Sequence, residues 1–130
     1  MATRSRIAVQ NADGTFLSIY CHWDGYPRGV GKDLLNEHNG EQAARALMEH
    51  GDLSTLSPLV SYRSKGETDV DAQVHDSMED LRSVSLDCGA DWMYLYTSEW
   101  MCRPWRLGYP RGDYVEEWKT IEDAIKAESE

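Results

Sequence analysis

The sequence predicts an α+β domain: an antiparallel sheet built from two hairpins, with short helices packed on one face. Three observations predict it. Apolar residues alternate around a turn cluster near the N-terminus, a second alternating run rich in aromatics follows residue 90, and the segments between and after them carry helical spacing. The 130 residues show no break in composition and are expected to form a single domain, 1–130. A chain of this length hides roughly two thirds of its unfolded surface, enough for one core.

Each element has its own signal. Arg6 to Gln10 reads as a short strand, and Asn11-Ala12-Asp13-Gly14 as a turn. Thr15 to Trp23 then alternates. Leu17, Ile19, Cys21 and Trp23 form the more apolar face, expected against the core, while Tyr20 and His22 fall on the more accessible one. Asp24 to Gly31 holds three glycines and reads as a loop free to bring amides close to a ligand. Lys32 to Asn39 is expected as a helix with Leu34, Leu35 and His38 inward, ended by Gly40. Glu41 to His50 is a second, with Ala43, Ala44, Leu47 and Met48 as its stripe and Gly51 past its end. Leu53 to Leu56 reads as one further helical turn before Pro58.

Residues 61–75 are polar and weakly periodic, and are expected as a surface loop. Ser77 and Asp80 have the spacing of a capping box and start a helix that buries Met78 and Leu81. Trp92 to Tyr96 and Trp100 to Arg103 flank a Ser98-Glu99 turn as the second hairpin, and Pro104 marks a sheet edge or a strand end. Thr120, three residues before Asp123, caps the last helix, in which Ile121, Ala124 and Ile125 face inward.

Composition limits the partners. Hydrophobic residues are 41% and charged residues 28%, unlike a disordered or membrane-embedded chain. No apolar run spans a bilayer and none follows Met1 to Arg6, so a cytoplasmic protein without membrane association is expected. The net charge of -10 argues against direct nucleic-acid binding. Residues 1–32 nevertheless carry +2, a local setting for a small anion or ordinary surface charge. Cys21, Cys88 and Cys102 are expected as reduced thiols, and no His/Cys spacing suggests a metal or other cofactor. The odd cysteine and the many aromatics are compatible with a homo-oligomer.

One pentapeptide occurs twice: Gly25-Tyr26-Pro27-Arg28-Gly29 and Gly108-Tyr109-Pro110-Arg111-Gly112. One reading is a β-turn used twice. The other is a ligand clamp. Tyr26 and Tyr109 would offer flat faces for a base, and Arg28 and Arg111 would offer forks for phosphate. Arg4, Arg6, Tyr20 and His22 would form the floor between them. That arrangement needs no catalytic residue. The enzymatic alternative rests on His22 and Asp24, two titratable groups on one side of a strand, as in a small phosphoester-cleaving enzyme. No Gly-x-Ser-x-Gly or phosphate-loop motif is present.

Thr3-Arg4-Ser5-Arg6-Ile7, Asp13-Gly14-Thr15 and the string Ser18-Ile19-Tyr20-Cys21-His22-Trp23-Asp24-Gly25-Tyr26-Pro27 resemble a family of small phage and prophage proteins. The likeness continues through Gly29-Val30-Gly31, Leu34-Leu35 and Gly51-Asp52-Leu53-Ser54, and covers about the first 57 residues. It implies a phage accessory protein of anti-defence type acting in the host cell. Such a protein would sequester a nucleotide-like signal or block a host defence protein by contact. The first fits the paired loops. The second fits an acidic surface that mimics nucleic acid, with Glu116-Glu117 and Glu122-Asp123 in place of phosphates; residues 113–130 carry -5.

Overall fold

The computed structural model describes residues 3–56, 61–62, 71–87, 89–104 and 118–129. Its strands are β1 (Ser5–Gln10), β2 (Phe16–Cys21), β3 (Leu53–Thr55), β4 (Ser61–Tyr62), β5 (Gln73–His75), β6 (Trp92–Tyr96), β7 (Trp100–Pro104) and β8 (Lys119–Thr120). Its α-helices are α1 (Lys32–Glu37), α2 (Glu41–Met48), α3 (Met78–Asp87) and α4 (Ile121–Ser129). A π-helical turn, Pro27–Gly31, leads into α1.

The two expected hairpins are β1–β2 and β6–β7, each antiparallel. Pairing of β1 with β6, in parallel, joins them into one sheet. The order is β4-β3-β2-β1-β6-β7-β8, and β5 pairs with β2 beyond the short β3. The fold class is therefore α+β, with a sheet built from hairpins.

Pleating sends alternate residues of each strand to opposite faces. On one face Ile7, Val9, Ile19 and Cys21 meet Leu34 of α1, Ala44, Leu47 and Met48 of α2, and Ile121 and Ala124 of α4. These three helices lie on the same face. Gly51 takes φ +75 after α2 and donates its amide to the Met48 carbonyl, the position expected of it. On the opposite face α3 brings Leu81 against Ala8, Phe16, Met93 and Leu95. Both faces of the central strands are thereby covered, which removes the accessible face expected for Tyr20: it is only 9% exposed.

Two segments differ from expectation. Leu53–Thr55 is a strand, not a helical turn; Leu53 pairs with Cys21, and its carbonyl accepts the His22 amide. Within the stretch expected as a surface loop, Ser61–Tyr62 and Gln73–His75 are strands, and His75 is buried. β4 is only two residues long and pairs with the nearby β3, while β5 pairs with β2, a distant partner that local periodicity does not report.

The expected helix caps are present. Asp80 donates its amide to Ser77 Oγ at 3.1 Å, and Asp123 donates its amide to Thr120 Oγ1 at 3.2 Å. Thr120→Ala is expected to cost about 1 kcal/mol in urea unfolding, and Thr120→Ser to retain most of it.

Candidate functional site

The site begins where β2 stops. His22 still donates its amide to the Leu53 carbonyl, Trp23 leaves the sheet, and Asp24 turns the chain with φ +60, a left-handed conformation that a residue with a Cβ seldom adopts. Local contacts hold it there. The Asp24 carbonyl accepts the Val30 amide at 2.8 Å, and its carboxylate accepts the Tyr26 hydroxyl at 3.2 Å. The loop is also pinned to the body. Gly25 donates its amide to the Thr3 carbonyl at 2.8 Å, and buried Tyr94 donates its hydroxyl to the Gly25 carbonyl at 2.6 Å. Val30 sits in the core at 1% exposure.

The glycines of the first pentapeptide are packing residues. A Cβ on Gly29 would lie 2.4 Å from the Asp24 carbonyl oxygen. One on Gly25 would lie within 3 Å of Thr3, Arg4 and Ser5 atoms. Their lack of a side chain admits neighbouring backbone, so this segment is a built scaffold and not the free loop expected from its glycine content.

That scaffold presents aromatic surface. Among the described residues the exposed large hydrophobic side chains are Trp23 at 46%, Tyr26 at 38% and Val74 at 63%. Two of the three stand on this one loop, with the exposed Arg28 two residues beyond Tyr26. Trp23 is braced from below. Its indole meets the His22 ring edge-on, with centroids 4.8 Å apart at 89°. His22 Nδ1 is 2.8 Å from the Tyr20 hydroxyl, so Tyr20, His22 and Trp23 form a continuous chain outward from the sheet.

The predicted site residues separate into three groups. Tyr20, His22, Tyr26 and Arg28 belong to this loop and its support. Arg4 is exposed beside it: its backbone lies against Gly25, and its guanidinium lies near Gly89. Arg6 does not belong to the surface floor expected of it. It is 4% exposed and donates from Nε to Ser18 Oγ at 2.9 Å and from Nη2 to Gln73 Oε1. Tyr109 and Arg111, with the second pentapeptide, lie outside the described residues.

Trp23 was expected against the core. Its exposure follows from the strand ending at Cys21, two residues before the alternation suggested, and the Asp24-Gly25 turn pair is the sequence signal for that stop. Cys21 faces the core as expected, and burial pushes its thiol up to about 12, so it is no nucleophile at neutral pH.

A second polar constellation lies inside the protein. Ser18 Oγ is 2.6 Å from His75 Nε2, and His75 Nδ1 is 3.2 Å from Asp80 Oδ2. A carboxylate only accepts, so in the neutral ring Nδ1 carries the proton and Nε2 receives the Ser18 hydroxyl. Arg6 supplies a further donor to the same oxygen. The order is that of a hydrolytic relay, yet Ser18 and His75 are 0% and 1% exposed, and no substrate atom reaches the hydroxyl while α3 and β5 are seated. Sequence motifs could not reveal this set, because its members come from three strands and a helix start with no fixed spacing. The expected His22–Asp24 acid–base pair finds no support in the backbone: both residues lie past the end of β2, so strand geometry does not place them side by side.

Among the described residues no group of three or more His, Cys, Asp or Glu side chains could hold a metal ion, and no helix is long and apolar enough to cross a membrane. Comparison with protein-family models, with curated proteins and with solved structures gives no match.

Proposed function

We propose that this chain is a non-catalytic binding protein that captures a small nucleotide-like anion on the Trp23–Arg28 loop. One observation carries the reading: Trp23 and Tyr26, two large aromatics exposed to solvent, share a braced loop with Arg28. An indole held in place loses little freedom when a base stacks on it, and a guanidinium beside it pairs with phosphate. The surrounding segment is locally basic in an acidic chain, which favours a small anion over a polyanion. The repeated pentapeptide would supply an equivalent pair, Tyr109 and Arg111. Resemblance to small phage proteins gives the biological setting, sequestration of a host defence signal in the host cytoplasm.

Calorimetry against cyclic di- and trinucleotides and cyclic ADP-ribose isomers tests the reading. Binding of at least one is expected, without turnover. Trp23→Ala and Arg28→Ala should each weaken it at least about tenfold, since stacking on one aromatic is worth roughly 1–3 kcal/mol. Both variants should unfold at the wild-type urea concentration. No binding across the set, with one host protein retained on the immobilised chain, would replace this reading with that of a protein inhibitor. Consumption of a ligand would make the chain an enzyme.

A further inference from the structure

The buried relay does not reach solvent as a nucleophile, but it joins four elements through one titratable ring. Arg6 comes from β1, Ser18 from β2 and His75 from β5, while Asp80 stands in the first turn of α3. We propose that this relay is a proton-operated clasp: it seats β5 and α3 on the sheet while His75 is neutral and releases them when the ring is protonated.

The geometry accounts for both states. In the neutral state each group has a matching partner: Arg6 Nε–H to Ser18 Oγ, Ser18 O–H to His75 Nε2, and His75 Nδ1–H to the Asp80 carboxylate. Protonation turns Nε2 from acceptor to donor. Ser18 Oγ then meets N–H groups from two cations, and its own hydrogen loses its acceptor. The ring is buried, so this mismatch cannot be relieved by water in place.

Three charged groups act on the ring. Arg6 from β1 opposes the imidazolium, while Asp80 of α3 and Asp76, just before that helix, favour it. Asp80 has half its side chain in solvent, which weakens its hold. Burial is the largest influence, and it keeps the His75 ring below the ordinary value of 6.5. The sign follows. A depressed folded-state value means that the stabilisation is complete above about 6.5 and is lost as pH falls through the folded-state value. What lies beneath the clasp is apolar: Phe16, Met93 and Leu95 of the sheet and Leu81 of the helix. The device is independent of the Trp23–Arg28 loop, and its test involves no ligand.

Hydrogen exchange of the full chain, corrected for intrinsic rates, reads the clasp directly. Between about pH 7.5 and pH 5.5, amides of α3 should lose protection severalfold, up to a ceiling of about tenfold set by protonating one ring of ordinary value 6.5 in the opened state. Those of β1 and β6 should hold theirs. His75→Gln keeps a side-chain donor and acceptor but cannot titrate, so its α3 protection should be the same at both pH values. The wild-type imidazole, followed by NMR, should titrate below 6.5 together with amide shifts in α3, a readout that does not depend on the variant folding. Equal α3 protection in the wild type at both pH values, or a His75 midpoint at or above 6.5, overturns the proposal. Loss confined to α1 would assign acid sensitivity to His38, which burial also lowers, and would overturn it too.

Discussion

Arg6→Ala is expected to destabilise the folded chain by about 3 kcal/mol, because a hydrogen bond to a charged group contributes roughly 1.5–3 kcal/mol and two are lost. Ser18 Oγ loses the Nε donor and Gln73 Oε1 loses Nη2. The first loss occurs where water does not replace it, since Ser18 is 0% exposed, whereas Gln73 is exposed. The arginine stem also fills space between the sheet and its cover, so truncation removes packing with the charge. Arg6→Lys keeps the charge but not the fork, and a single ammonium cannot reproduce the separate Nε and Nη2 directions. Its loss should fall between those of wild type and alanine. Urea unfolding checks both variants. An unchanged midpoint for Arg6→Ala, with weakened anion binding, would return Arg6 to the ligand floor that its position in the sequence suggested.

That contrast between Arg4 and Arg6 shows what the sequence carries. Two arginines a residue apart on a strand start look alike in a linear reading. One remains at the surface, and the other is buried and bonded to Gln73 of β5, 67 positions later in the chain. The hairpins were legible because their pairing is local: alternation and a turn cluster specify β1–β2 and β6–β7 without reference to anything distant. The helix stripes and the Ser77 and Thr120 caps were legible for the same reason. The pairing of β5 with β2 was not, because a three-residue strand whose first two residues are exposed has no periodicity of its own. Once β5 is placed, the buried relay follows, and with it the covered second face.

The candidate site was half legible. Tyr26 and Arg28 stood out through the repeat, and Tyr20 and His22 through alternation. Alternation carried past the strand end puts Trp23 inward, and glycine content alone suggests ligand contact where the fold assigns packing. The two errors share a cause. A residue pattern states which conformations are open to the chain, while the occupied neighbourhood of a Cβ depends on which other segment arrives there.

Gly25→Ala makes that difference measurable. The added Cβ would lie 2.8 Å from the Thr3 carbonyl oxygen, 2.9 Å from the Arg4 carbonyl carbon and 2.9 Å from Ser5 Cβ. None of these is the end of a flexible side chain, so relief requires moving the strand start or the loop. Moving the loop strains the Gly25 amide bond to Thr3 and the Tyr94 hydroxyl bond to the Gly25 carbonyl. Overpacking of this kind costs about 1–3 kcal/mol, and rigid backbone on every side puts Gly25→Ala at the upper end. Thermal unfolding should therefore shift well below that of Arg28→Ala, whose side chain is exposed. Ligand binding should fall in both variants for different reasons. On the proposed function, Arg28→Ala removes a phosphate partner, and Gly25→Ala displaces the loop that carries Trp23. Wild-type stability in Gly25→Ala would mean that the turn gives way freely, and a base stacked on Trp23 would then rest on a support that the chain does not hold in advance.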